Sequence, residues 1–171
     1  PKQEEEEQTT QKPQPSKLPP IVKPQRLRTS EKIQRKLIQM NRLPQNYVPI
    51  HYDLYLRISE EKQLFEGSVT VTFQKINGFN SCYLNISENI EIKSIFQNEI
   101  PMKFIILYPI LLIYQSNDDI STFPITINYT VKPNSTGDKG FFSFNDSYFT
   151  SFEPNLARNL LPCFDEPLVR S

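Results

Sequence analysis

The stretch PITINYTV, residues 124–131, alternates strictly: Ile125, Ile127, Tyr129 and Val131 are apolar, and Thr126, Asn128 and Thr130 stand between them. A period of two puts one set on each face of an extended chain, so the segment reads as a half-buried strand. The pattern recurs upstream. In SVTVTF (68–73), Val69, Val71 and Phe73 alternate with Ser68, Thr70 and Thr72; in YDLYLRI (52–58), Leu54, Leu56 and Ile58 alternate with Asp53, Tyr55 and Arg57. Leu84 and Ile86 share a face in CYLNIS (82–87), and Ile90 and Ile92 follow in NIEI (89–92). Turn signals at Asn77-Gly78, Asn117-Asp118-Asp119 and Pro133-Asn134 separate these runs. Short strands joined by turns, with no helical pattern between them, predict an all-β domain, an antiparallel β-sandwich.

At 171 residues the chain suits one domain plus extra segments. Nineteen basic and nineteen acidic residues cancel, so no basic surplus points to a nucleic-acid partner. Twelve Phe and eight Tyr, set among many Ile, Leu and Val, suffice for one core. The longest apolar run, FIILYPILLIY (104–114), is about half the ~20 residues a membrane helix needs, and Pro109 interrupts it. Membrane attachment, if any, is expected only through an upstream anchor. The single histidine, His51, excludes a His-Glu-x-x-His zinc helix, and four glycines provide no phosphate loop. There is no Gly-x-Ser-x-Gly turn for a nucleophile. No metal ligand and no catalytic residue is therefore assigned. Cys82 and Cys163 are open to either reading, one disulfide or two free thiols. Running from Pro1 to Ser171, the chain reads as a fragment of something longer.

Residues 1–40 form a Pro-, Glu- and Lys-rich arm with no periodicity through residue 28, which reads as disordered or polyproline-like. Within it, SEKIQRKLIQM (30–40) has helical spacing: Ser30 can cap, Glu31 suits the positive end, and Ile33, Leu37 and Met40 fall on one stripe. The β domain is expected over 41–167, with 168–171 beginning a linker. Four N-glycosylation sequons occur, at Asn85, Asn128, Asn134 and Asn145. Asn85 and Asn128 are expected on the polar faces of their strands, and Asn134 and Asn145 in turns, where a glycan disturbs no core. This favours a cell-surface or extracellular setting; a cytoplasmic protein rich in Asn is the alternative.

The densest chemistry lies in TSFEPNLARNLLPCFDEPLVRS (150–171). By residue type alone, Glu153 can bind an ammonium group and the Asp165-Glu166 pair can do acid-base work. Structural readings carry more weight at this point: an ion pair with Arg158, a rigid Pro-flanked connection, and a buried inert thiol at Cys163.

Four segments in order, RLPQNYVPIHYDLYL (42–56), FEGSVTVTF (65–73), GFFSFNDSY (140–148) and TSFEPNLARNLLPCFDEP (150–167), resemble the N-terminal domain of the aminopeptidase N family of zinc metallopeptidases. The family typically reads Thr-Gln-Phe-Glu-Pro-Thr-Asp-Ala-Arg-Arg-Ala-Phe-Pro-Cys-Phe-Asp-Glu-Pro in the last of these. The resemblance implies a saddle-like β-sandwich packed on a C-terminal catalytic domain. It implies that Glu153 helps bind the free α-ammonium of a peptide N-terminus. Ser151 stands where the family usually has a Gln that shapes the first specificity pocket, and Leu156 stands where it usually has Asp. The family's Gly-Ala-Met-Glu-Asn segment and zinc helix are not in these residues, so no cofactor is expected in this chain, with zinc expected in the full-length enzyme. By the same resemblance His51 is a packing residue, 162–167 a structural bridge, and residues 1–40 a stalk. From another class of function, the alternative is a non-catalytic binding or scaffold module of the same fold.

Overall fold

A computed structural model of the chain describes residues 42–59, 64–77, 80–115, 120–135 and 137–166. The arm, its expected helix over 30–40 and residues 168–171 lie outside the described residues.

The described residues form ten strands: β1 (Tyr47–Ser59), β2 (Leu64–Lys75), β3 (Ser81–Asn85), β4 (Ile90–Gln97), β5 (Ile100–Pro101), β6 (Phe104–Leu107), β7 (Ile110–Tyr114), β8 (Thr122–Val131), β9 (Gly140–Phe144) and β10 (Ser147–Ser151). They form a five-stranded sheet in the order β1-β2-β8-β4-β5, a three-stranded sheet β3-β7-β6, and the hairpin β9-β10. Every strand pair is antiparallel. The expected all-β antiparallel sandwich is the fold observed.

Register explains how alternation becomes a core. Val69 lies opposite Ile127, which lies opposite Ile95 across β4. Val71 lies opposite Ile125, and Phe65 opposite Val131. These residues are all buried, in one cluster with Cys82, Leu84, Leu111 and Ile113 of the second sheet. On the outward face the same registry brings the Thr70 and Thr126 hydroxyls 3.0 Å apart, a polar cross-strand pair. At Gly67 the inward position holds no side chain because the Tyr129 ring fills it. A Cβ built there would stand 2.3 Å from Cζ of Tyr129.

FIILYPILLIY reads as one apolar run, yet it folds as the β6-β7 hairpin, turning at Tyr108-Pro109. Both faces of this small sheet are largely buried, so no alternation marks its strands. In β1, Leu54 and Ile58 do face inward by register with Val69 and Phe65. They nonetheless stay 43% and 51% exposed on this edge strand.

A bulge at Ile50 also overturns the packing role expected of His51. The register shifts between Pro49 and His51, so Tyr52 turns inward and His51 outward. The His51 side chain is 66% exposed, with Nε2 3.9 Å from the Asp53 carboxylate.

Candidate functional site

The β9-β10 hairpin positions the residues of interest. Its strands are aromatic and alternating, and they are joined by Asn145-Asp146, both at positive φ (47° and 58°). That is the two-residue type I′ geometry matching strand twist, which Asn and Asp tolerate better than most residues. Phe141 and Tyr148 point inward and meet Phe65 of β2 edge-to-face, at 4.9 and 4.7 Å between ring centroids. These contacts dock the hairpin on the sandwich. On the opposite face Phe142 and Phe149 are cross-strand partners, stacked at 5.5 Å. Gly140 starts the hairpin at φ +73°, with the Asn159 side chain 2.4 Å from where a Cβ would lie; both facts require glycine.

Strand β10 ends at Ser151, and Phe152 tucks against the core. The chain then turns: Leu156 N–H donates to the Phe152 carbonyl (2.8 Å), and a 3-10 helix, Ala157–Asn159, follows. This turn holds Glu153 on the surface at the foot of the hairpin, beside Ser151, both exposed. Among the described residues no hydrogen bond or ion pair engages the Glu153 carboxylate. A carboxylate standing free on an ordered turn is available to a cation.

The acids further on are already occupied. Asp165 accepts from Arg158 Nε at 3.0 Å, and Arg158 Nη2 donates to the Asp165 carbonyl, also at 3.0 Å. The two side chains are only 19% and 12% exposed. Asp165 N–H donates to Asn85 Oδ1, and Asn85 and Cys163 exchange two backbone hydrogen bonds. Phe164 N–H donates to the Tyr52 hydroxyl at 2.9 Å, and Leu43 N–H to a Glu166 carboxylate oxygen at 3.3 Å. The segment 163–166 is therefore a clasp tying β1, β3 and the Leu43 entry together. The structural reading of Asp165 and Glu166 is the one the contacts support.

Both cysteines are free and buried. Burial pushes the Cys82 thiol up to about 12. Burial first, then the Asp165 charge, pushes Cys163 up, against the opposing pull of Arg158. Burial likewise pushes the Tyr52 hydroxyl well above its ordinary range. None of these groups is activated. No cluster of three or more His, Cys, Asp or Glu among the described residues is placed to hold a metal ion. Among the described residues, the two buried thiols and the outward His51 are not placed to share a zinc ion.

The sequons divide by environment. Asn145 is exposed at the hairpin tip, and Asn134 is exposed in the connection from β8 to β9. Asn128 is half-buried on central strand β8, where its Nδ2 donates to Ser94 Oγ at 3.0 Å. Asn85 departs from the expected outward placement. It is 4% exposed and bound into the clasp, so a glycan there would displace residues 163–166.

Sequence reasoning singled out Ser151 and Glu153 but not the hairpin that presents them. The signal was present: Asn-Asp between two aromatic alternating pentapeptides marks a type I′ hairpin.

The sequence model of the peptidase M1 N-terminal domain matches residues 48–171. The chain belongs to that family. Its sequence is 28% identical over 153 residues to the alanine/arginine aminopeptidase of Saccharomyces cerevisiae, covering 75% of this chain and 17% of the yeast protein. Its fold is similar to that of the M1 zinc metallopeptidase from Deinococcus radiodurans (TM-score 0.60, 20% identity, 70% of this chain and 29% of that one). It is also similar to yeast LTA4 hydrolase (TM-score 0.55, 23% identity, 71% and 21%). The chain thus spans less than a third of the length of each of these relatives.

Proposed function

We propose that this chain is the domain of a zinc aminopeptidase that meets the substrate's amino end, with a C-terminal catalytic domain supplying zinc and the general base. Family membership supports the enzyme class, and the aminopeptidase name of the yeast relative supports the substrate class. The observation that carries the role is Glu153, an exposed carboxylate without a partner among the described residues, held by a hydrogen-bonded turn at the hairpin foot.

A catalytic domain closing over this turn removes water from the carboxylate. The substrate's α-ammonium then gives a charge-assisted hydrogen bond, which is shorter and stronger than a neutral one. A peptide with a blocked N-terminus leaves the carboxylate buried and unpaired and is rejected. Ser151, on the same edge, is shorter than a glutamine and leaves a wider first pocket. In this reading the 171-residue chain alone has no hydrolytic activity. Its exposed sequons support a cell-surface or extracellular setting, with membrane attachment through an upstream anchor.

The test is Glu153→Ala and Glu153→Gln in the full-length enzyme, assayed with an aminoacyl anilide. A charged hydrogen bond is worth about 1.5–3 kcal/mol, so kcat/KM should fall about 10- to 100-fold. Unchanged KM and kcat in both variants remove the role.

A further inference from the structure

We propose that Asn145 is a built N-glycan site, in which the first sugar is seated on Phe144. This rests on the secretory reading above and goes beyond it by selecting one of four sequons and giving it a platform. Three features meet at the hairpin tip. The turn Phe144-Asn145-Asp146-Ser147 has both central residues at positive φ, so the acceptor Asn occupies the first corner of a type I′ turn. Phe144 and Ser147 are cross-strand partners, so the ring and the sequon hydroxyl project from the same face of the ribbon. Phe144 is 65% exposed, an apolar ring with little of the protein covering it.

Each feature suits an attached N-acetylglucosamine. One face of that sugar is lined by axial C–H groups, which pack on the negative face of an aromatic ring. Ser147, whose hydroxyl completes the sequon, stands opposite Phe144 in the register. The turn holds ring and acceptor in place beforehand, so little entropy is lost on contact. In the transfer, Asn145 Nδ2 forms a bond to C1 of the sugar and gives up one proton. The C1–O bond to a lipid pyrophosphate donor breaks, and the lipid pyrophosphate leaves with the electron pair. The tip lies six residues from Ser151 along β10, roughly 20 Å of extended chain, so the glycan stands clear of Glu153. Asn85 is bound into the clasp and Asn128 to Ser94, so neither offers this geometry.

The full-length protein, secreted from eukaryotic cells, would be mapped by mass spectrometry after enzymatic deglycosylation. Asn145 should be occupied and Asn85 bare. Phe144→Ala removes only an exposed ring, so folding is spared. Occupancy at Asn145 should fall at least about twofold, as expected of one lost aromatic contact. In the parent protein enzymatic removal of the glycan should lower Tm by roughly 2 °C; in Phe144→Ala that difference should vanish. A bare Asn145 in the secreted protein, or equal occupancy and equal Tm differences in parent and variant, overturns the assignment. The protein taken from its native cells separates the two readings. No glycan at any of the four asparagines overturns the secretory setting, whereas glycans elsewhere with a bare Asn145 overturn this site alone.

Discussion

At the scale of single residues, the structure turns on positions where a side chain is forbidden or a charge is hidden. Gly67 is the clearest, because the Tyr129 ring occupies the space of its missing side chain. Gly67→Ala should cost about 1–3 kcal/mol by overpacking, read as a lower Tm in thermal unfolding. A second alanine at Tyr129 should recover part of that loss. Cys82 makes a pH prediction. Its thiol is held protonated by burial up to about 12, while an unfolded cysteine ionises near 8.5. Between those values the unfolded chain has lost a proton that the folded chain keeps. Stability is therefore full below about pH 8.5 and falls above it, by about 1.4 kcal/mol per pH unit for this one group. Urea titrations from pH 8 to 10.5 should show that decline, and Cys82→Ala should make it shallower, leaving the part due to the buried Cys163 thiol. A decline of equal slope in the variant would assign it to other groups.

At the scale of elements, the hairpin is the part whose placement matters most, and its anchor is aromatic. Phe65 receives both Phe141 and Tyr148. Phe65→Ala should cost about 3–5 kcal/mol and free β9-β10 first. Amide exchange would therefore rise in residues 140–151 well before the strands around Val69 and Ile127. Uniform exchange across both regions would show the hairpin to be no separate unit. The elements also show what a sequence exposes to reading. Strands buried on one face announced themselves, as in 68–73 and 124–131, because alternation records a wet face and a dry one. Strands β6 and β7 did not, because a sheet covered on both sides erases that alternation. His51 was misplaced for a different reason: its packing role came from the resemblance, whereas the alternation of 52–58, continued back to the bulge at Ile50, puts His51 outward with Asp53.

At the scale of the molecule, the C-terminal segment that looked most chemical is mainly a fastening. Asn85, Tyr52 and Glu166 take part in contacts between residues 80 to 123 positions apart in the chain, and Arg158 pairs with Asp165 seven positions on. Such contacts depend on the folded topology, so residue types alone could not separate an ion pair from an acid-base pair. Removing one partner of a largely buried pair is costly, so Asp165→Ala should lose about 3 kcal/mol or more, measured by denaturant unfolding. Wild-type stability in that variant would contradict the clasp. The acid proposed to meet the substrate, Glu153, was by contrast legible as a residue but not as a geometry. Only the fold shows that Glu153 is without a partner among the described residues while Asp165 and Glu166 are engaged. The central claim is that this free carboxylate receives the substrate's ammonium group. The most direct test is a crystal structure of the full-length enzyme with a bound amino-acid product. The account predicts a Glu153 carboxylate oxygen within about 3.2 Å of the product's ammonium nitrogen. A product whose ammonium lies against other acids, with Glu153 turned away to solvent, would contradict it.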